Sequence, residues 1–219
     1  MRNYDDTHRH KGMRKKLIEL LREKGITDEQ VLEAMNQIPR HCFLDSAFDE
    51  IAYEDRAFPI SEGQTISQPY TVAYQTQLLQ VKPNERILEI GTGSMYQATV
   101  LAEMGAMVFT IERQRVLFEK TKHYIYKSKY PRLKFFFGDG YEGLPTYGPF
   151  SKILITAAAP FIPPKLVEQL KPGGLMVIPV NEGENQRMLR LTKQADGSVT
   201  EEAFEHFSFV PMLAGKTGS

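Results

Sequence analysis

The chain has 219 residues, 42% of them hydrophobic, with 13 Phe and 10 Tyr: enough apolar mass for one α/β domain with an appendage, and too little length for two ordinary domains. Lys and Arg number 27, as do Asp and Glu, so the formal charge is zero and the basic surplus that a nucleic-acid partner calls for is missing. The single cysteine, Cys42, excludes an internal disulfide; with no apolar leader and no run of membrane-spanning length, the sequence reads as soluble, cytoplasmic and without a membrane partner.

Residues 1–10 are polar and read as a loose tail in which His8 and His10 are solvated. Met13, Leu17, Leu20 and Leu21 then recur at helical spacing, and Gly25 is placed to stop that helix. Lys11, Arg14, Lys15 and Lys16 read as its solvated basic face. Thr27 and Gln30 have capping-box spacing, with Thr27 as N-cap of a helix that carries Val31, Leu32, Met35 and Ile38 and ends near Pro39. Residues 39–60 hold no period and mix aromatics with charges, which predicts an irregular segment; Cys42 beside His41 reads as a buried, inert thiol. In Glu62-Gly63-Gln64-Thr65-Ile66-Ser67-Gln68-Pro69-Tyr70, Pro69 suits the first turn of a helix with Ser67 or Gln68 as cap. Ser67 either caps that helix or offers its hydroxyl to an anion, and spacing alone does not choose.

The most informative stretch follows. Arg86 to Ile90 is an apolar-rich run that predicts a buried parallel strand; Gly91-Thr92-Gly93-Ser94 predicts a tight turn, and residues 97–104 open a helical pattern. The dinucleotide motif would need Gly or Ala at position 96, where this chain has Tyr96. Three acids mark strand ends: Glu89 just before the first glycine, Glu112 after residues 107–111, and Asp139 in Gly138-Asp139-Gly140 after residues 133–137. Carboxylates there suit a ligand with ribose hydroxyls, an amino-purine and positive charge, so S-adenosylmethionine fits better than NAD. Residues 151–156 form a further apolar run before Ala157-Ala158-Ala159-Pro160, and residues 164–170 a short helix. Residues 175–180, 186–192 and 204–210 read as closing strands, with Asp196-Gly197 as a turn and His206 as a structural residue. No metal-ligand spacing and no internal repeat is present.

Gly63-Gln64-Thr65-Ile66-Ser67-Gln68-Pro69, Leu88-Glu89-Ile90-Gly91-Thr92-Gly93-Ser94, Gly138-Asp139-Gly140, Thr156-Ala157-Ala158-Ala159-Pro160, Gln169-Leu170-Lys171-Pro172-Gly173-Gly174 and Phe209-Val210-Pro211 occur in the order seen in protein-L-isoaspartate O-methyltransferases, which the chain resembles over residues 13–213. The glycine motif is generic to methyltransferases; the Thr65–Pro69 and Ala-Ala-Ala-Pro segments are specific to this family. The resemblance implies a Rossmann-like S-adenosylmethionine-dependent methyltransferase fold, α/β with a mostly parallel doubly wound sheet and extra N-terminal helices. It implies one domain over residues 1–219: an N-terminal appendage (1–60), a cofactor-binding core (61–180) and C-terminal strands covering the active site (181–219). It implies methyl transfer from S-adenosylmethionine to the α-carboxylate of L-isoaspartyl residues in damaged proteins and peptides. The sulfonium is a built-in leaving group, so no metal is called for, and a monomer is expected. By position, Ser67 matches the active-site serine; Glu89, Gly91, Thr92, Gly93, Ser94, Glu112, Asp139 and Gly140 match cofactor-binding positions; and Thr65, Ile66 and Val210 match the substrate cleft.

The departure is Met95, where the family has Gly. The helical pattern directly after it predicts helical backbone at position 95, with the side chain turned into the core. A small-molecule or RNA methyltransferase would share the cofactor half but call for a basic groove or a different Thr65–Pro69 turn. A binding protein without turnover would rest on Met95 alone.

Overall fold

The computed structural model describes residues 4–218; residues 1–3 of the predicted loose tail lie outside it. Two helices lead, α1 (His8–Glu23) and α2 (Glu29–Gln37). α1 begins earlier than its apolar spacing predicts, because Thr7 caps it: its hydroxyl accepts from the His10 amide at 3.3 Å, and His10 Nδ1 accepts from the Thr7 amide at 3.3 Å. His10 is therefore buried, not solvated, and so is Arg14, whose guanidinium grips both Asp6 oxygens at 2.9 Å. Asp6, His10 and His41 each offer an atom within 4.8 Å of the others. With Asp6 fully engaged by Arg14 and the His10 and His41 rings stacked at 3.7 Å, the cluster is a polar core and not a cation site. The cap of α2 is Asp28, one residue after the predicted Thr27; its carboxylate accepts from Gln30 and Val31, while Gln77 takes up the Thr27 and Asp28 amides.

Residues 39–57 are irregular apart from two 3-10 turns, Arg40–Phe43 and Ser46–Ile51. A two-residue hairpin, β1 (Phe58–Pro59) against β2 (Thr65–Ile66), then delivers the chain to α3 (Pro69–Leu79). Neither Ser67 nor Gln68 caps α3 with its side chain. Asp55, from the irregular segment, accepts from the Tyr70 amide at 2.8 Å in their place.

The sheet alternates with short helices: β3 (Arg86–Ile90), α4 (Tyr96–Glu103), β4 (Met107–Glu112), α5 (Arg115–Lys120), β5 (Lys134–Phe137), β6 (Phe150–Ile155), α6 (Pro164–Glu168), β7 (Leu170–Glu182), β8 (Asn185–Lys193) and β9 (Val199–Phe207). Its order is β5-β4-β3-β6-β7-β8-β9; the first five run parallel, and β8 and β9 close it as antiparallel hairpins. The central strands are apolar throughout because both faces are covered. Ile87, Val108, Leu154 and Val177 join the core under α2, α3 and α4, while Leu88, Phe109, Ile153 and Met176 join a second core with Leu166 and Met212. The chain leaves β3 in one direction to β4 and β5 and returns to β6 on the other side, so a switch point opens between β3 and β6 at their carboxyl ends.

Candidate active site

At that switch point lies a cleft lined by the turn after β3, the end of β4 and the turn into α3, the place where open α/β sheets bind their ligands. Its floor is the turn after β3. Gly91 sits at φ 99°, and a Cβ there would lie 2.5 Å from Thr156 Oγ1, whose hydroxyl donates to the Ile90 and Gly91 carbonyls. Thr92, Gly93 and Ser94 continue along the cleft wall. Gly140 enters from the next loop, where a side chain would meet Ile90 at 2.5 Å.

Glu112 ends β4 and reaches into this floor almost fully buried. Oε2 accepts from the Gly93 amide at 2.9 Å and Oε1 from the Gln114 amide at 2.8 Å. Burial pushes its carboxyl above the usual range, and the amides of Gln114, Gly93 and Arg113 pull it back toward the ionised form. A carboxylate has about four acceptor sites, so acceptor capacity is left over at the edge of the cleft.

Glu89 is placed differently from expectation. It pairs with Thr110 in the sheet, is completely buried and is not among the residues lining the cleft. Neither of its oxygens has a hydrogen-bond partner within geometric reach among the described residues, and burial lifts it to about 8. The Thr110 hydroxyl, engaged with Thr92 at 2.7 Å, opposes that rise, and the Glu112 charge adds to it. Asp139 lies beside the cleft but outside its lining: Oδ1 accepts from the Tyr141 amide at 2.9 Å and Oδ2 from the Gly215 amide at 2.6 Å.

The cleft is also lined by Thr65, Ile66 and Ser67 from the turn into α3, and by Val210 and Met212 from the C-terminal segment. Ser67 is half-buried, and its hydroxyl makes no hydrogen bond among the described residues. A second groove runs past Ser67, Val210 and the aromatic rings of Tyr70, Phe207 and Phe209. Residues 208–217 form the outer rim. Ala158 exchanges hydrogen bonds with Val210 and Met212, Arg113 donates to the Gly215 carbonyl at 3.0 Å, and Thr217 pairs with Arg113 and Arg115.

Met95 overturns its predicted conformation. It stands at φ 72°, ψ 0°, outside the helix, as the N-cap of α4. Its carbonyl accepts from the Thr99 amide and hydroxyl, and its side chain packs on the core and lines a separate groove with Phe43, Ile60 and Tyr124. The helical pattern starts one residue later than it reads. Residues that the sequence did not single out also line the cleft: Gln64, Tyr96, Gln97, Arg113 and Gln114. The only signal for Gln114 was its place just past the strand-end acid.

A mostly parallel sheet, a glycine turn after its first parallel strand, an acid at the tip of the next and a cleft at the switch point define a methyltransferase of the S-adenosylmethionine-dependent, Rossmann-like class. Residues 12–217 match the family model described as protein-L-isoaspartate(D-aspartate) O-methyltransferase, and the chain belongs to that family. It is 56% identical over 214 residues to the protein-L-isoaspartate O-methyltransferase of Cytophaga hutchinsonii, covering 98% of this chain and 96% of that one. It is 51% identical over 211 residues to that of Flavobacterium johnsoniae, covering 96% and 99%. Among solved structures, a Plasmodium falciparum chain named for the same enzyme, in complex with S-adenosyl-L-homocysteine, superposes with a TM-score of 0.78 at 28% identity, covering 91% and 97%. No helix among the described residues is long and apolar enough to cross a membrane.

Proposed function

We propose that the cleft binds S-adenosylmethionine between the Gly91–Ser94 turn and the Asp139-Gly140 loop, and presents it to the α-carboxylate of an L-isoaspartyl residue held at the Ser67 turn. The observation that carries this reading is that Glu112, with acceptor capacity left over, and Ser67, with an uncommitted hydroxyl, line one cleft. The donor supplies a methyl group on a sulfonium, so a carboxylate oxygen can bond to that carbon while the carbon–sulfur electron pair leaves on sulfur. The acceptor is ionised at neutral pH, with a reference value near 4, and needs no general base.

The work left to the chain is holding and drying. Glu112 takes the ribose hydroxyls. Thr92, Gly93 and Ser94 keep the backbone close to the methionine end, and Gly140 leaves space for the purine beside Asp139. Glu89 lies buried beneath the floor and keeps its proton at neutral pH, so it shapes the site without adding a charge to it. Ser67 donates to one carboxylate oxygen and orients it as positioner and not nucleophile, with Thr65, Ile66 and Val210 shaping the acceptor side. Good alignment in a water-excluded site supplies about 7–11 kcal/mol in intramolecular models.

Residues 4–218 act as one domain in this reading. The protein works as a cytoplasmic monomer on damaged proteins and peptides, not on nucleic acid, which its zero net charge and lone buried Cys42 support. Incubation with S-adenosylmethionine and matched isoaspartyl and aspartyl peptides tests it: methyl incorporation is expected only into the isoaspartyl peptide, and equal labelling of both would refute the assigned substrate.

A further inference from the structure

Arg40 opens the first 3-10 turn and is completely buried. Its guanidinium reaches three separate segments at once. Nε donates to the Ala52 carbonyl at 3.2 Å, Nη2 donates to the Ser67 carbonyl at 2.8 Å, and the central carbon lies over the Tyr96 ring, 4.9 Å from its centre. Nη1 has no hydrogen-bond partner among the described residues. Tyr96 is the first residue of α4, directly after the glycine turn, and lines the same cleft as Ser67.

A buried guanidinium with no carboxylate in contact is an expensive way to fill a core, and a well-packed apolar side chain of similar size would serve stability as well or better. Burial accordingly pulls Arg40 down to about 10. A planar fork does something that no apolar side chain can: it fixes two carbonyls while its charge sits over an aromatic ring, in a single rigid geometry. The Ser67 hydroxyl has no partner within the described chain, so its direction is set through its backbone, and Arg40 holds that backbone by the carbonyl.

We propose that Arg40 is a positioning residue for methyl transfer, locking the Ser67 turn against Tyr96 so that the acceptor wall keeps its distance from the glycine turn. The proposal rests on the assignment of Ser67 to the acceptor carboxylate. Displacing a reacting group by about 1 Å can cost roughly 10²-fold in rate, so the loss falls on turnover while cofactor contacts stay in place.

The experiment is a double-mutant cycle on the full chain: Arg40→Lys, Arg40→Gln, Ser67→Ala and the Arg40→Lys/Ser67→Ala pair. The readouts are kcat and KM for an isoaspartyl peptide, S-adenosylhomocysteine affinity by calorimetry, and Tm. Arg40→Lys keeps the charge and most of the stem, yet cannot span both carbonyls. It is expected to lower kcat about tenfold or more while cofactor affinity changes by less than about threefold. In the Ser67→Ala background it is expected to lower kcat by no more than about twofold, because the positioned group is gone. A folded Arg40→Lys with wild-type kcat, or losses that multiply in the double variant, overturns the proposal. A lowered Tm with unchanged kcat does so too and assigns Arg40 to the fold alone. Should Arg40→Gln not fold, Arg40→Lys decides. Ser67→Ala with full activity overturns the reading of Ser67 itself, an outcome distinct from the others.

Discussion

Glu89→Gln should make the protein more stable as pH rises, and the size of the gain follows from the environment of Glu89. In the unfolded chain the carboxyl has its ordinary value of 4.5; folded, burial first, with the Glu112 charge adding to it, lifts it to about 8. Between these values the folded protein holds a proton that the unfolded chain has released, so stability contributed by this group falls as pH rises. The change is about 1.4 kcal/mol per pH unit, which gives about 3 kcal/mol by pH 7 and a ceiling of roughly 5 kcal/mol above pH 8. Gln is nearly isosteric and does not titrate. The difference in unfolding free energy between variant and wild type, measured by urea denaturation from pH 5 to 9, should therefore grow in favour of the variant with that slope and level off above pH 8. Taking the difference cancels groups of opposite sense, such as Asp6, whose ion pair with Arg14 pulls it below the usual range against its partial burial. A difference that does not vary with pH would refute the reasoning and mean that Glu89 is solvated or paired in solution.

Glu112→Ala should weaken S-adenosylmethionine binding by about 1.5–3 kcal/mol; unchanged affinity by calorimetry in a folded variant would remove Glu112 from the ribose. Ser67→Ala should lower kcat with Tm unchanged, because Asp55 and not Ser67 caps α3. Asp55→Ala should instead lower stability by about 1 kcal/mol in denaturant titration. At position 95 the backbone is left-handed. Met95→Gly should accordingly come out about 1 kcal/mol more stable than Met95→Ala, which keeps the Cβ and loses the packing. Neither should change cofactor affinity more than about threefold, since the side chain lies in the neighbouring groove and both changes are small by the usual scale of coupling. A large gain in affinity for Met95→Gly alone would show that Met95 crowds the cleft.

The central parallel strands were legible because they are buried on both faces and rich in apolar residues, and β3, β4 and β5 end at a glycine or an acid. The cleft floor was legible for the same reason: Gly91, Gly93 and Glu112 lie within one β-α-β stretch, and short sequence separation fixes their geometry. Pairings over long separations were not. Nothing near Arg14 in sequence announces Asp6 and Tyr53 as partners, so a basic run read as solvated hides a buried cation. Asp55 caps a helix 14 residues downstream, which no capping pattern encodes. Met95 was misread because helical propensity is a weak signal at a first turn, where the cap residue takes non-helical backbone. Glu89 was counted as a ligand contact from its place in the motif, whereas strand alternation turns its side chain beneath the floor.

The outer rim of the cleft has a thermodynamic consequence. Residues 210–217 are held largely by main-chain bonds, Ala158 to Val210 and Met212 on one side and Thr217 to Arg113 and Arg115 on the other, with the Gly215 amide on Asp139 between. Any affinity that a ligand draws from the wall made by Val210 and Met212 exists only while this segment is down. Segment closure and ligand binding are therefore linked functions, each raising the equilibrium constant of the other by the same factor. Because the backbone does most of the fastening, exposed side chains of the segment such as Leu213 can differ in shape and polarity without loosening it, whereas the buried Met212 is tied to the core beneath.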